Sequence, residues 1–586
     1  MYISPDGYRS AFDDIRRTSL SHSTCKVVVF VSALDIDALC SAKMLANLFK
    51  SELIPHKISP VVGYSELGAM YKELDDDVTN VICVGCGATI DLETHFDIPI
   101  DEPIGRKIYV IDNHRPWNLD NLFGATSVVC LDDGAVDKLT DHREAYEYLI
   151  EHQDDDEDNQ MDNGNGHANG DGEHVGGLID DDGDQTDEDE PAPRQPDGKK
   201  QSSTQLLEDY YGQGSSLTQS CTVQTYALLS SVGETTITSL WLTVVGATSL
   251  DAEHPQIYQS LFPLLKDEVQ RLCPPVNSHD GLHDGLHIET DYALFVLRHW
   301  SLYQAMLHSS YLGAKLQLWT EDGRKRLHKM LAKMGISLRE AQEQWSHMHI
   351  HLKKGLRDKL SDVAGVYGID EIIRSGVVRR YGYKGSVSAG DCVEAILALL
   401  QQKTDTHDDE HRIWVSNFWK GWDAMDNVNE LLEGISKAKE LQQAVVSAGT
   451  AIFEKKQIKD LRSFRLAVIR EGPELDVFRN PLALARLGVW IAEGCAESHP
   501  VPLPLVIASL NTIADTYLVL GMGPYYGRGD EMAKEDVYNR FGPAFQATAT
   551  KINAKVRMDA FESCIIEVAR DDLSRFLEAL TLSGLV

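Results

Sequence analysis

The fold is decided by Lys26–Ser41, KVVVFVSALDIDALCS. An unbroken apolar run gives way to Asp35-Ile36-Asp37, and Ser41 follows four residues later. Such a run, ending in acids and continuing into helical spacing (ALCSAKMLANLFKSE), predicts a buried strand feeding a helix. A second stretch repeats the design. Lys107–Pro116, KIYVIDNHRP, is apolar, then delivers Asp112, Asn113 and His114. Strands that release polar side chains at their C-terminal ends are how an open α/β sheet builds a site.

Further candidate strands are Ile58–Val62, Val78–Val84 and Ser127–Leu131, alternating with helical patterns. The alternation predicts an α/β fold with a parallel, doubly wound sheet in residues 1–150. The chain has 586 residues, which implies roughly two to four domains. From Glu151 to Glu190 there is no Lys or Arg, and Asp, Glu, Gly and Asn dominate. Residues 151–203 therefore read as an acidic, disordered insertion, either a solvated spacer or a docking tract for basic partners. Residues 204–272 complete the first domain, with QSCTVQTYALL from Gln219 and TTITSLWLTVVGAT from Thr235 helical or mixed. Residues 273–390 read as a mainly helical inserted domain. Its 3–4 spacing runs through Tyr292, Phe295, Val296, His299, Trp300, Tyr303, Met306 and Leu307. Residues 391–586 read as a second α/β domain.

The net charge of −35 argues against whole-molecule attraction to nucleic acid or to an anionic membrane. No apolar segment of about 18 residues predicts a membrane span, and MYISPDGYRS does not read as a secretory signal. The ten cysteines are scattered in a way that fits buried free thiols, and the isolated Cys83-x-x-Cys86 pair is a weak metal signal. The histidines of HDGLHDGLH (His279, His283, His287) sit among Gly and Asp and read as a loop, and His347, His349 and His351 would share a face only on a strand although their surroundings read as helical, so both sets are weak metal candidates. Local basic clusters remain as nucleic-acid candidates: Arg324, Lys325 and Arg326 with Lys329 and Lys333; Lys353 and Lys354 with Arg357 and Lys359; Arg379 and Arg380 with Lys384. Trp300, Tyr303, Tyr311 and Trp319 are candidate partner anchors, although core packing is the commoner use of such residues.

Asp35-x-Asp37 with Ser41, an acid after a middle strand, Asp-His-His after a later one and a fourth acid are the motifs of the DHH phosphoesterase superfamily, which includes the RecJ nucleases. This sequence resembles that superfamily but departs from it. The first motif is intact. Gly85 stands at the second acid position, Asp112-Asn113-His114 replaces Asp-His-His, and Ser249 stands at the fourth position, with Asp251 two residues on. Gly85 offers no ligand and Asn113 only a neutral amide oxygen. A two-ion hydrolytic centre needs about five or six ligands, several of them anionic. The expectation is a vestigial site that holds no metal or cofactor and does no catalysis. The alternative is a metal-dependent single-strand exonuclease or phosphodiesterase whose missing ligands come from Asp132, Asp133 or Asp251.

Several longer segments narrow the resemblance: VIDNHRPWNLDNLF, the acidic insertion, RHWSLYQAMLHSSYLGAKLQLWTEDGRKRLHKMLAKMGISL, YGYKGSVSAGDCV and DDLSRFLEAL. In order along the chain, they resemble the cell-division-cycle protein forty-five family of eukaryotic replication. The resemblance implies a RecJ-like DHH domain, a helical inserted domain and a C-terminal DHHA-type domain. It also implies a nuclear, non-catalytic factor loaded at replication origins, with affinity for single-stranded DNA. Its implied partners are the MCM ring, the GINS complex, other initiation factors and a replicative polymerase.

Overall fold

The computed structural model describes residues 1–20, 24–99, 105–152, 198–274, 285–382, 385–402, 410–497, 502–527 and 538–584. Most of the acidic tract, together with His279, His283 and Lys384, lies outside the described residues. Two compact units separate, one of residues 1–133 and 213–586, the other of 134–212. The smaller unit holds the helices Thr140–Glu151 and Gly198–Gly212, with the rings of His142 and Tyr210 5.0 Å apart. Its limits differ from those expected at 150 and 204, because Thr140–Glu151 packs with Gly198–Gly212.

The first sheet of the larger unit has six parallel strands in the order Tyr2–Ile3, Val128–Leu131, Lys107–Ile111, Asn80–Val84, Val27–Ser32, His56–Val61. The expected strands all form. Tyr2–Ile3 is an added edge strand too short to register as a pattern. Val27–Ser32, buried along its whole length, has Asn80–Val84 on one side and His56–Val61 on the other. Strand order reverses at the Val27–Ser32/Asn80–Val84 pair, and in an open α/β sheet such a reversal opens a crevice beyond the strands' carboxyl ends. The residues after these two strands are Asp35, Asp37 and Gly85.

Both segments offered as mixed are helices, Cys221–Val232 and Ile237–Ser249. Ser220 and Thr236 cap them through side-chain oxygens, the second in a reciprocal capping box with Ser239. They pack their apolar faces into the core beside the helix Ile36–Ser51.

The middle region corrects the helical expectation. It contains a three-stranded antiparallel sheet, Ser386–Ser388, Ile373–Arg380 and Gly285–Tyr292. His287 sits in the last of these rather than in a loop. The 3–4 spacing from Tyr292 to Leu307 is not one helix. The strand ends at Tyr292, Val296 turns left-handed at φ 39°, and helix resumes at Leu302 after a short 3-10 turn. Beyond it, short helices and the longer Glu321–Lys333 and Ile350–Tyr367 surround a core of Leu302, Met306, Leu312, Leu327, Leu331 and Leu360. The C-terminal region is α/β as expected. Its mixed sheet runs Lys459–Asp460, Arg465–Ile469, Leu505–Asn511, Thr516–Met522, Ile565–Ala569, Val556–Arg557. Among the described residues no helix is long and apolar enough to cross a membrane.

Candidate functional site

Asp35 ends the turn after Val27–Ser32 and caps the helix Ile36–Ser51, its Oδ1 accepting from the Asp37 amide at 2.8 Å. Asp35 is half-buried. Asp37 is fully buried, and its carboxylate is taken up by the protein itself. Oδ2 accepts from the Cys221 amide at 2.6 Å; Oδ1 accepts from the Ser220 hydroxyl at 2.6 Å, the Thr222 hydroxyl at 2.8 Å and the Thr222 amide at 3.2 Å. The carboxylate is seated at the N-terminus of Cys221–Val232, where backbone amides lack intrahelical partners. Burial pushes its pKa up and these four donors pull it back. Gly246 lets the helix Ile237–Ser249 come this close, since a Cβ there would lie 2.5 Å from Asp37 Oδ1 and from Thr222 Cγ2. Ser41, also buried, shares its hydroxyl with Thr225 at 2.6 Å.

Gly85 faces this turn. A Cβ built on it would lie 3.2 Å from Asp35 Oδ2, so the position assigned by motif to the second acid is beside the first in space. Asp112 is buried. Its Oδ2 accepts from the Ala88 amide at 2.9 Å, and its Oδ1 from His114 Nδ1 at 2.7 Å and the His114 amide at 3.2 Å. Burial raises the Asp112 carboxyl, but the imidazolium charge and these hydrogen bonds hold it below its ordinary value. Burial lowers His114 in turn, and Asp112 outweighs it, leaving a pKa of about 9. Asn113 is buried with its amide oxygen unpartnered. Ser249 donates its hydroxyl to the Gly246 carbonyl of its own helix.

Two of the three carboxylates named as substitute ligands are held in ion pairs. Asp251 pairs with Arg374 at 3.1 Å, and Asp133 pairs with Arg115 at 2.9 Å and accepts from Thr218 at 2.7 Å. The buried Asp132 receives Tyr8 on its backbone carbonyl. The donor set does not fit a two-metal cluster: the Asp37 carboxylate already accepts four hydrogen bonds from the protein, and Gly85 and Ser249 contribute no anionic ligand. Among the described residues no group of three or more His, Cys, Asp or Glu is arranged to hold a metal ion.

Motif spacing missed the groups that fill and rim the site. Ser220 and Thr222 are 183 and 185 residues from Asp37. Their only local signal is a Ser at a helix start. Glu253, His254 and Glu562 were also passed over. Glu253 is an exposed residue whose carboxyl is raised by partial desolvation and by the neighbouring Glu562 and Asp35; burial, then His114, lower His254 to about 4. The region carrying Glu562 is held down by Asp559, which accepts from the Tyr64 amide at 3.0 Å and the Ser65 amide at 2.8 Å.

Burial and the neighbouring Asp37 push Asp35 up to about 7. A carboxyl whose folded pKa exceeds its unfolded value binds more protons when folded, so its contribution to stability falls as pH climbs from about 4 through 7. Asp35→Asn keeps the cap and removes that slope. Urea unfolding should show the variant gaining about 1–2 kcal/mol on the parent between pH 4 and pH 7, after allowance for the half-exposure of Asp35. Equal pH slopes in the two proteins would disprove the assignment.

The other candidates scatter. Arg324, Lys325 and Arg326 are exposed on Glu321–Lys333, Lys325 beside Asp322 at 3.1 Å. Lys354 is exposed on Ile350–Tyr367, while Lys353 lies over the Trp345 ring at 5.7 Å. Arg380 pairs with Glu289 at 2.7 Å and Arg379 lies over Tyr381 at 4.9 Å, so these two are already engaged. Trp300 is buried, stacked on His308 at 4.7 Å, and Trp319 is half-buried between Phe453 and Trp490, so both act in packing. Tyr303 and Tyr311 are half-buried; the Tyr311 hydroxyl accepts from the Glu371 amide at 3.2 Å. Cys83 and Cys86 are buried free thiols, as are most of the ten. His347, His349 and His351 are exposed around the start of Ile350–Tyr367.

Comparison with known proteins follows this architecture along its whole length. The chain is 44% identical over 671 residues to Cell division control protein 45 of Saccharomyces cerevisiae, covering 100% of both. It is 35% identical over 646 residues to the Cell division control protein 45 homolog of Schizosaccharomyces pombe, again covering 100% of both. The crystal structure of CDC45 from Entamoeba histolytica superposes with a TM-score of 0.69 at 19% identity, covering 99% of each chain. The CDC45 family model matches residues 27–583, and the chain belongs to the CDC45 family.

Proposed function

We propose that this chain is a non-catalytic factor of DNA replication initiation and elongation. In this reading it is a nuclear scaffold subunit that joins the MCM ring to the GINS complex in the replicative helicase. It is loaded at origins with other initiation factors and works beside a replicative polymerase. Asp35, Asp37, Ser41, Gly85, Asp112, Asn113, His114 and Ser249 are then a vestigial DHH site. The observation that carries the reading is the state of Asp37, whose buried carboxylate is engaged by four protein donors at the N-terminus of the helix Cys221–Val232. Membership of the CDC45 family supports the replication role. Affinity for a single strand belongs to the same reading.

The test is calorimetry with Mn²⁺ on the purified full chain, with a 5′-labelled single strand in parallel. The expected result is no tight metal binding and a strand retarded on native gels at low salt but left uncut. Cleavage that requires Mn²⁺ and disappears with EDTA would overturn the proposal.

A further inference from the structure

The turn Leu294–Trp300 joins the middle sheet to the helices that follow it, and it serves two cores at once. Leu294 and Leu297 pack with Leu302, Met306 and Leu312 of the helical module, whereas Phe295, Val296 and Trp300 pack with Ala398 and Ala438 of the helices Ala389–Leu400 and Val428–Glu454. Sending chain neighbours to opposite sides goes with the left-handed backbone at Val296, φ 39° and ψ 45°, which a β-branched residue rarely adopts. Such strain persists only where the surroundings hold it, and it gathers at clamps and switch regions. The polar groups of the turn are short of partners as well. Arg298 pairs with Asp291 at 3.0 Å and lies 3.6 Å from Asp391 Oδ2. His299 Nε2 lies 3.7 Å from the same oxygen, and both atoms are buried without a hydrogen bond. His308 is buried against Trp300, and its backbone carbonyl accepts from the Gln442 side chain of Val428–Glu454 at 2.8 Å. Two histidines therefore sit in the fastening that holds the helical module to two helices outside it.

Charge decides what a proton does there. His299 is faced by Asp391 from Ala389–Leu400, by Lys439 from Val428–Glu454 and by Arg298 of its own turn. Arg298 is held in turn by Asp291, which Arg374 of the neighbouring strand approaches to 3.8 Å. The one carboxylate beside the imidazole is thus shared with Arg298, and two cations oppose a third. Burial, with Lys439 and Arg298, outweighs Asp391 and lowers the His299 pKa. Trp300, Gln304 and Gln442 contact His308, and none of them is charged; burial lowers its pKa against the hydrogen bond between Nδ1 and the Gln304 carbonyl. A histidine lowered in the docked state binds fewer protons there than when released. Docking is therefore favoured above the ordinary pKa of about 6.5 and loses ground as pH falls below it. We infer that the turn Leu294–Trp300 is an acid-released latch: proton uptake by His299 and His308 loosens the helical module from the helices Ala389–Leu400 and Val428–Glu454 while the two six-stranded sheets stay folded. This goes beyond the scaffold reading, which names no moving part.

The test is hydrogen–deuterium exchange of the full chain, read by mass spectrometry at about pH 7.5 and about pH 5.5 and corrected for the intrinsic pH dependence of exchange. The reporting peptides carry the Phe295 amide, which donates to the Ala305 carbonyl at 3.2 Å, and the Trp345 amide, which donates to the Trp300 carbonyl at 2.8 Å. Their protection should fall on acidification by at least about threefold more than that of the strand Val27–Ser32, since one strongly lowered histidine contributes about tenfold at most over this range. His299→Gln with His308→Gln, neutral at both pH values, should abolish the extra fall. Lys439→Gln, at a half-buried position, removes one opposing cation and should shrink it, which histidines with a merely structural role would not show. Protection that holds or rises with acid would overturn the inference, as would a double variant that keeps the parental fall. If the double variant does not fold, Lys439→Gln decides, and an undiminished fall there overturns the inference. These readouts involve no metal ion and no nucleic acid, so a failure here leaves the scaffold reading to stand or fall on its own test.

Discussion

Asp37→Ala should destabilise the protein by about 3–5 kcal/mol, although the scaffold reading gives this residue no catalytic role. The substitution leaves the amides of Cys221 and Thr222 and the hydroxyl of Ser220 without their acceptor in a fully buried place. A buried donor left unsatisfied costs about 1–3 kcal/mol, and relaxation recovers part of three such losses. The measurement is the urea midpoint of parent and variant, with and without Mn²⁺. The expected loss is the same in both conditions. A metal ligand would behave in the opposite way: the parent would be stabilised by Mn²⁺, and Asp37→Ala would abolish that gain at small cost in its absence. A variant as stable as the parent would show that the four hydrogen bonds contribute nothing net.

That contrast marks what the sequence could and could not tell. Asp35 and Asp37 were legible because an apolar run ending in acids is a local pattern, and five of the six strands of the first sheet were legible for the same reason. Gly85 was placed by motif alone, and the structure sets it 3.2 Å from Asp35 through parallel pairing of the two strands. The partners of Asp37 were not legible, because tertiary packing brings them from about 180 residues away. The middle sheet was missed for a different reason. Gly285–Tyr292 and Ile373–Arg380 pair across some 80 residues, and their own sequences, GLHIETDY and IRSGVVRR, are too polar to advertise a buried strand. The apolar spacing from Tyr292 to Leu307 then imitated a helix. In fact Phe295, Val296 and Trp300 belong to one small cluster, and Leu294, Leu297 and Met306 to another, with the backbone turning left-handed at Val296. Periodicity reports burial, and several short pieces can share a burial period without sharing a helix.

Restoring the second acid should fail to restore a metal centre. Gly85→Asp is expected to cost about 3–5 kcal/mol and to leave Mn²⁺ binding undetectable, alone or combined with Asn113→His. Three physical terms act together. Gly85 has φ +69°, which costs a non-glycine residue on the order of 1 kcal/mol or more. Its Cβ would lie 2.6 Å from the Ala38 Cβ, and both atoms sit on packed backbone, so the strand end or the helix Ile36–Ser51 must shift; overpacking of this kind costs about 1–3 kcal/mol. The new carboxylate would also stand beside Asp35, whose own ionisation is already resisted by burial and by Asp37. Gly85→Ala separates the steric part and should account for more than half of the loss. Even a protein that tolerated Gly85→Asp would still have Asp37 committed to Cys221–Val232 and Ser249 committed to its own helix. Two positions can be rewritten by substitution, but releasing Asp37 requires undoing the helix N-terminus it satisfies. If Gly85→Asp with Asn113→His bound Mn²⁺ tightly and regained stability in doing so, the site would be a metal centre short of two ligands, and the commitment of Asp37 to structure would be disproved.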